Sequence, residues 1–269
     1  MLKRTFESQA GTRPHRLHLQ KNKVILWKLL GVGLTALLQI RAFPTFAAEP
    51  GVFTVKNDQS LKELYQPGSG ARYKILISND ATPIDLSIYV SESGNDHVGF
   101  EFFMRSQSML GEIKMWQQFQ LVRRSGTNGP ELSLERGLFR TPELKKPEIL
   151  PLDELLKQMD SGLQISDFMI TSTAPKGHQL IGKEALQVGK ANLTTYHFQY
   201  KNKERTIDYW IHPDVKPIAL IKMKASGPKP QHNYELVFQS LVVNVAREID
   251  PQTAAPLSAT GRSLLGLGK

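Results

Sequence analysis

The sequence predicts a mainly β protein: one strongly curved antiparallel sheet, or incomplete β-barrel, with one or two short helices on its concave face. Three observations lead to this fold class. Apolar and polar residues alternate with period two through much of residues 70–245, short turn sequences separate the alternating runs, and helical periodicity is scarce. Short connections favour antiparallel hairpins over parallel crossovers. A two-sheet sandwich remains the main alternative, because it also presents one apolar face per strand.

The first half of the chain predicts a short helix over 60–65 and then four strands. Turn residues at 79–80, 93–96 and 125–130 separate or end these strands. Gln117 breaks the alternation of the fourth strand. The apolar positions of the four strands are Tyr73, Ile75 and Ile77; Ile84, Leu86, Ile88 and Val90; Val98, Phe100, Phe102 and Met104; and Ile113, Met115, Phe119 and Leu121.

A helical insertion near 150–160 is predicted between the two halves. Asp153 and Glu154 suit the first turn of a helix that runs to Met159, since carboxylates are favourable near a helix N-terminus. We expect this helix to pack across the concave face as a lid. Its apolar residues are Leu152, Leu155, Leu156 and Met159.

The second half repeats the strand pattern and ends in a tail. Polar turns at 201–204, 212–214 and 226–230 divide its strands. The tail from Asp250 is rich in Pro, Ala, Ser, Thr and Gly, so residues 250–269 are predicted to be flexible. The apolar strand positions here are Tyr196, Phe198 and Tyr200; Ile207, Tyr209 and Ile211; Ile218 to Met223; and Tyr234, Leu236 and Phe238, continuing to Val245.

The N-terminal segment has the three regions of a secretory signal peptide. Residues 1–23 are basic, residues 24–40 are mostly apolar, and small residues surround a cut expected after Ala47. The prediction is a signal peptide at 1–47 and a periplasmic or secreted mature chain that does not span a membrane. The alternative is an N-terminal membrane anchor, for which the apolar run of 17 residues, interrupted by Lys28, is short.

Charge and cysteine content exclude several classes of function. The chain carries +9, but residues 1–47 hold eight Lys or Arg and one Glu, which leaves only +2 for the remainder. A nucleic-acid partner is therefore not expected, because such proteins present a basic surface. The absence of Cys from the sequence rules out disulfides and thiolate metal sites.

The segment from Ile181 to Leu241 is similar to the C-terminal part of periplasmic lipoprotein-carrier-like proteins, the LolA-like superfamily of outer-membrane lipoprotein sorting. The resemblance is carried by a predicted turn at 182–184, an aromatic strand at 195–200, a strand end at 209–214 and an apolar strand at 216–222. It implies an unclosed β-barrel with a helical lid around an apolar cavity that accepts acyl chains. It implies no set of functional residues that transfers to this chain.

No catalytic, cofactor or metal site is predicted. The histidines lack the close spacing of metal ligands, and Asp85 and Glu101 are interpreted as solvated acids on the wetter strand faces. The candidate site is instead an apolar cavity, since Met and aromatic side chains adapt to flexible acyl chains. Its candidate residues are Phe100, Phe102, Met104, Met115, Phe119, Tyr196, Phe198, Tyr209, Ile211, Ile221 and Met223.

These observations lead to a functional hypothesis. The chain is expected to comprise a signal peptide at 1–47, a single curved-sheet domain at 48–249 and a flexible tail at 250–269. Its expected function is that of an exported, non-enzymatic protein that binds a lipid, lipoprotein or other apolar cargo. The alternative is an interaction module with a filled core and no ligand that joins an envelope protein complex.

Overall fold

The computed structural model describes residues 60–78, 82–108, 111–126, 129–151, 178–201, 206–228 and 233–267. Its strands are β1 (Gly70–Ile77), β2 (Ile84–Ser93), β3 (His97–Ser108), β4 (Gly111–Gly126), β5 (Gly129–Arg140), β6 (Glu148–Ile149), β7 (His178–Val188), β8 (Ala191–Lys201), β9 (Thr206–Ile211), β10 (Leu220–Ser226) and β11 (Tyr234–Val242). Its α-helices are α1 (Leu61–Leu64) and α2 (Ala259–Leu264).

All eleven strands belong to one antiparallel sheet. Their order is β6-β5-β4-β3-β2-β1-β11-β10-β9-β8-β7, so the sheet is open, with β6 and β7 at its two ends. The two halves of the chain meet where β1 pairs with β11, from Gly70 opposite Val242 to Ile77 opposite Tyr234. The predicted mainly β class, with an open antiparallel sheet and two short helices, is confirmed. The strands form one hydrogen-bonded sheet rather than the two sheets of a sandwich.

Helix α1 begins where the sequence predicts it. The backbone N–H of Glu63 donates to the Ser60 hydroxyl at 3.3 Å, which satisfies one of the amide groups left free at a helix N-terminus. Leu61 and Tyr65 are buried, and the Tyr65 ring meets the Phe100 ring edge-on with centroids 5.4 Å apart. This short helix is therefore held by packing against β3 rather than by its own four residues.

The predicted turn at 182–184 is wrong, because these residues lie inside β7. The pairing register of β7 with β8 shifts between Leu180 and Gly182. A glycine inside a strand often accompanies such a β-bulge. Here Gly182 marks an irregularity within a strand rather than the end of one.

One face of the sheet is mostly apolar, and we call it the apolar face. Residues that lie directly opposite one another there form a buried row across six strands, from β2 through β1, β11, β10 and β9 to β8. Antiparallel partners on one face are the units that stabilise a sheet. The row consists of Ile84, Ile75, Leu236, Met223, Tyr209 and Phe198.

Residues 250–267 are folded, in contrast to the flexible tail that the sequence predicts. Asp250 caps a 3-10 helix at Pro251–Thr253, and Ala255 forms a parallel bridge with Glu148 of β6. After α2, Leu265 and Leu267 are buried in the same hydrophobic cluster as the apolar face. The composition of the tail does not indicate that it is folded, because its order comes from contacts with residues more than a hundred positions away.

Glu148 anchors the start of α2. The backbone N–H of Ser258 donates to Glu148 Oε2 at 3.0 Å, and Ser258 in turn caps α2 by accepting from the Gly261 N–H at 3.0 Å. A Cβ atom added at Gly261 would lie only 1.9 Å from Glu148 Oε2. Glycine is therefore required at 261 for the helix to approach the carboxylate this closely.

Candidate functional site

The predicted cavity residues lie together in one hydrophobic cluster. All but one of them are buried, and Tyr196 is partly buried and packs against the cluster. The buried ones are Phe100, Phe102, Met104, Met115, Phe119, Phe198, Tyr209, Ile211, Ile221 and Met223. The predicted lid residues Leu152, Leu155, Leu156 and Met159 and the predicted signal peptide lie outside the described residues.

The densest aromatic part of the apolar face lies on β3, β4 and β5. Phe102 and Phe119 meet edge-on with ring centroids 5.7 Å apart. Phe102 and Phe139 lie directly opposite Gln117, one on each neighbouring strand. Met104 lies opposite Met115 in the same pair of strands. A carboxamide is thus enclosed between two phenylalanines and beside two methionines.

Gln117 is fully buried, yet neither polar atom of its carboxamide has a hydrogen-bond partner among the described residues. Thr141, which follows β5 two positions after Phe139, is also buried, and its hydroxyl likewise lacks a partner within the described part of the chain. A buried polar group that is left unsatisfied costs about 1–3 kcal/mol. The interruption at 117 in the alternation of β4 was the sequence signal for this feature.

A histidine and tyrosines form a second polar spot on the apolar face, towards β7. His178 Nδ1 lies 2.5 Å from the Tyr209 hydroxyl, and its ring is 4.8 Å from that of Tyr200. Burial lowers the pKa of His178 from 6.5 to about 4, because the cationic imidazolium loses hydration there. His178 is therefore neutral at pH 7 and suits an apolar surrounding.

The opposite face holds a buried carboxyl that sequence reasoning placed in solvent. Glu101 accepts hydrogen bonds from the Tyr89 hydroxyl, from the Glu248 N–H at 3.0 Å and from the Ile249 N–H at 3.2 Å. Burial raises the pKa of Glu101 above its ordinary value, although these hydrogen bonds oppose the rise. The Asp85 side chain is exposed, as expected, and pairs with Arg105 at 2.9 Å.

A second polar network lies on the same opposite face, across β7, β8 and β9. The two ring nitrogens of His197 lie 2.7 Å from Glu184 Oε1 and 3.1 Å from Asp208 Oδ1. Trp210 Nε1 donates to Glu184 Oε2 at 2.8 Å, and this bond holds the pKa of Glu184 below its usual value. The His197 ring also stacks on Trp210, with centroids 4.4 Å apart. Because both nitrogens and one ring face are engaged, this network cross-links the strands.

Within the described ranges, no group of three or more His, Cys, Asp or Glu side chains is arranged to hold a metal ion. Among those same residues, none of the helices has the length and apolarity needed to cross a membrane.

Comparison with known proteins gives only distant similarities. No protein-family model matches the chain, and no curated protein matches it. The solved structure of MucB in complex with MucA(peri) matches with 11% identity and a TM-score of 0.30, over 71% of this chain and 55% of that one. The chain thus spans little more than half the length of that protein.

A candidate lipoprotein from Parabacteroides distasonis ATCC 8503 also matches, with 10% identity and a TM-score of 0.30, over 65% of this chain and 95% of that one. Similarity at this level carries no argument about function.

Proposed function

We propose that this protein binds an amphipathic cargo, a lipid or the acyl chains of a lipoprotein, against the apolar face of its open sheet. We further propose that it works as a non-enzymatic protein of the cell envelope, exported after cleavage following Ala47 or anchored by that segment. The predicted cavity residues would line the cargo site.

The observation that carries the proposal is the unpartnered carboxamide of Gln117. An ordinary hydrophobic core gains stability from an apolar residue at such a position, because an apolar side chain has no hydrogen bonds to lose. A polar group left unsatisfied inside an apolar surface is better explained by a ligand that brings the missing partner. Ligand-binding sites are typically mostly apolar with a few placed polar groups.

The rest of the apolar face suits an acyl chain. Met104, Met115 and Met223 are unbranched and polarisable, so they can move and repack around a flexible ligand. Burial of each methylene stabilises a complex by roughly 0.8 kcal/mol, so a chain of about twelve carbons supplies useful affinity.

The first test is native mass spectrometry of the protein purified from the envelope fraction of cells that express the full chain. We expect lipid to co-purify at near-unit stoichiometry, and the same mass shows whether residues 1–47 have been removed. A protein that carries no lipid and takes up no added fatty-acyl probe would contradict the proposal.

A matched pair of variants locates the cargo. Phe102 lies on the apolar face, whereas its neighbour Phe103 stacks on Trp116 on the opposite face, with ring centroids 5.0 Å apart. We expect Phe102→Leu to weaken binding of the acyl probe roughly threefold to tenfold through lost apolar contact. Phe103→Leu should leave the affinity unchanged, and thermal unfolding of both variants checks that they fold.

A second candidate function is protein binding at the edge strand β7. Leu180 and Ile181 are exposed large apolar residues, 39% and 47% accessible. Within the described residues β7 pairs only with β8, and an exposed strand edge can accept an added strand from a partner.

Site-specific photo-crosslinking separates the second candidate from the first. A photoreactive residue at position 181 should form a discrete protein adduct in cells, whereas the same residue at exposed position Lys224 of β10 should not. Equal labelling at both positions, or no protein adduct at 181, would argue against the second candidate.

A further inference from the structure

We infer that Gln117 and Thr141 form the polar anchor of the cargo site, and that the cargo has a neutral head group with a hydrogen-bond donor and acceptor side by side. A primary carboxamide and a protonated carboxylic acid have this chemistry. The inference rests on the proposed function and specifies the ligand class.

The first step concerns which groups are missing. Both the amide nitrogen and the carbonyl oxygen of Gln117 lack partners among the described residues, so the ligand must supply an acceptor and a donor together. A carboxamide or a protonated carboxyl does this with two parallel hydrogen bonds. An ester supplies only acceptors and would leave Gln117 Oε1 unpaired.

The second step concerns charge. The residues opposite Gln117 are Phe102 and Phe139. The nearest cations along β4 and β5 are Lys114 and Arg140. Lys114 lies opposite Arg105 and Arg140 lies opposite Trp116, so both cations are on the face of the sheet opposite to Gln117. An ionised carboxylate beside Gln117 would therefore be desolvated without a counter-charge from these strands, which favours a neutral head group.

The third step concerns Thr141. Phe139 is directly opposite Gln117, and Thr141 comes two positions later, immediately after Arg140, the last residue of β5. Diagonal neighbours in an antiparallel sheet lie about 7–8 Å apart, so a small polar head group beside Gln117 can approach the residue that directly follows β5. The Thr141 hydroxyl can donate or accept, so it can satisfy the second lone pair or the second N–H of the head group.

The fourth step concerns access. Gln117 has no exposed surface, so a ligand reaches it only if neighbouring side chains move. Met104 and Met115 are the next cross-strand pair along β3 and β4, and their unbranched side chains can adopt other rotamers to admit a ligand.

The test measures the affinity of the full-chain protein for three probes of equal chain length: hexadecanamide, hexadecanoic acid and methyl hexadecanoate. We expect the amide to bind at least roughly tenfold more tightly than the ester, because the ester leaves a buried acceptor unpaired. Binding of the acid that weakens as pH rises, with amide binding unchanged, identifies the protonated acid as a second ligand. Acid binding that does not weaken as pH rises would contradict the neutral head group.

Variants test whether the preference for the amide over the ester depends on Gln117 and Thr141. Gln117→Met should abolish the preference for amide over ester, retain ester binding and raise the melting temperature of the ligand-free protein by roughly 2–6 °C. Thr141→Val should weaken amide binding severalfold. Gln120→Met, the same change on the opposite face of β4, should leave the preference intact.

The outcomes separate the two proposals. Equal binding of amide and ester by the unaltered protein, or an unchanged preference in Gln117→Met, overturns the anchor but leaves apolar cargo binding standing. Failure of all three probes to bind overturns both.

Discussion

Replacement of Glu101 by alanine is expected to destabilise the protein by about 2–4 kcal/mol and to release the segment around Glu248 and Ile249 from the sheet. Both backbone N–H groups would lose their acceptor, and each buried donor without a partner costs about 1–3 kcal/mol. Part of this destabilisation is offset, because the variant no longer has to remove a carboxyl group from water when it folds. Chemical unfolding measures the stability change, and hydrogen exchange at the two amides measures the release.

Two controls isolate the role of the Glu101 carboxyl. Glu101→Gln retains one oxygen acceptor and should lose less stability than Glu101→Ala. Glu112→Ala removes a carboxylate from exposed ion pairs with Lys114 and Arg105 and should change stability by less than about 0.5 kcal/mol. Unchanged amide exchange in Glu101→Ala would show that the tail is held by other contacts.

The contribution of Glu101 to the stability of the fold should decrease as pH rises. Because burial raises the pKa of Glu101 above 4.5, the folded protein binds its proton more tightly than the unfolded chain does. The contribution to stability is therefore fully present below pH 4.5 and is lost as pH rises through the raised pKa. The stability of the natural protein relative to Glu101→Gln should fall over that range.

His178 is expected to make the protein lose stability between pH 6.5 and pH 4. Its pKa is about 4 in the fold against 6.5 ordinarily, so in this window the unfolded chain binds a proton that the folded protein does not. The contribution of neutral His178 is complete above pH 6.5 and is lost as pH falls through 4. A shift of this size corresponds to about 3 kcal/mol, an upper value because the ring is not completely enclosed.

Substitution at 178 tests this directly. His178→Phe retains an aromatic ring beside Tyr200 and Tyr209 but cannot titrate. Between pH 6.5 and pH 4, the variant should therefore lose about 2–3 kcal/mol less stability than the unaltered protein loses. Tyr200→Phe leaves His178 in place and should retain the full pH dependence. An NMR titration that placed the His178 pKa near 6.5 would contradict the expectation.

The strands and the apolar face could be predicted from local pattern. Alternation at positions such as Ile84, Leu86 and Ile88 has a period that only a strand places on one face, and the turn residues at 79–80 and 93–96 mark where β1 and β2 end. The cluster that holds Phe100, Phe102 and Met104 follows from that alternation. Gln117 was visible as an interruption of it, but its lack of partners was not, because partners depend on which strands are neighbours.

The tertiary structure decided the features that depend on distant residues. In the alternation of β3, Glu101 has a position that is usually exposed to solvent. It is nevertheless buried, and residues 248–249, nearly 150 positions later, lie against it and donate hydrogen bonds to it. The tail has the composition of a flexible end, yet Glu148 and the hydrophobic cluster hold α2 and Leu265. The sequence by itself determined β1 to β4 and β8 to β11 and which of their residues share a face, because alternation is a local property of the backbone, whereas β5 and β7 were not predicted. Only the tertiary structure decided which polar groups are buried and which have partners, because burial depends on the whole chain.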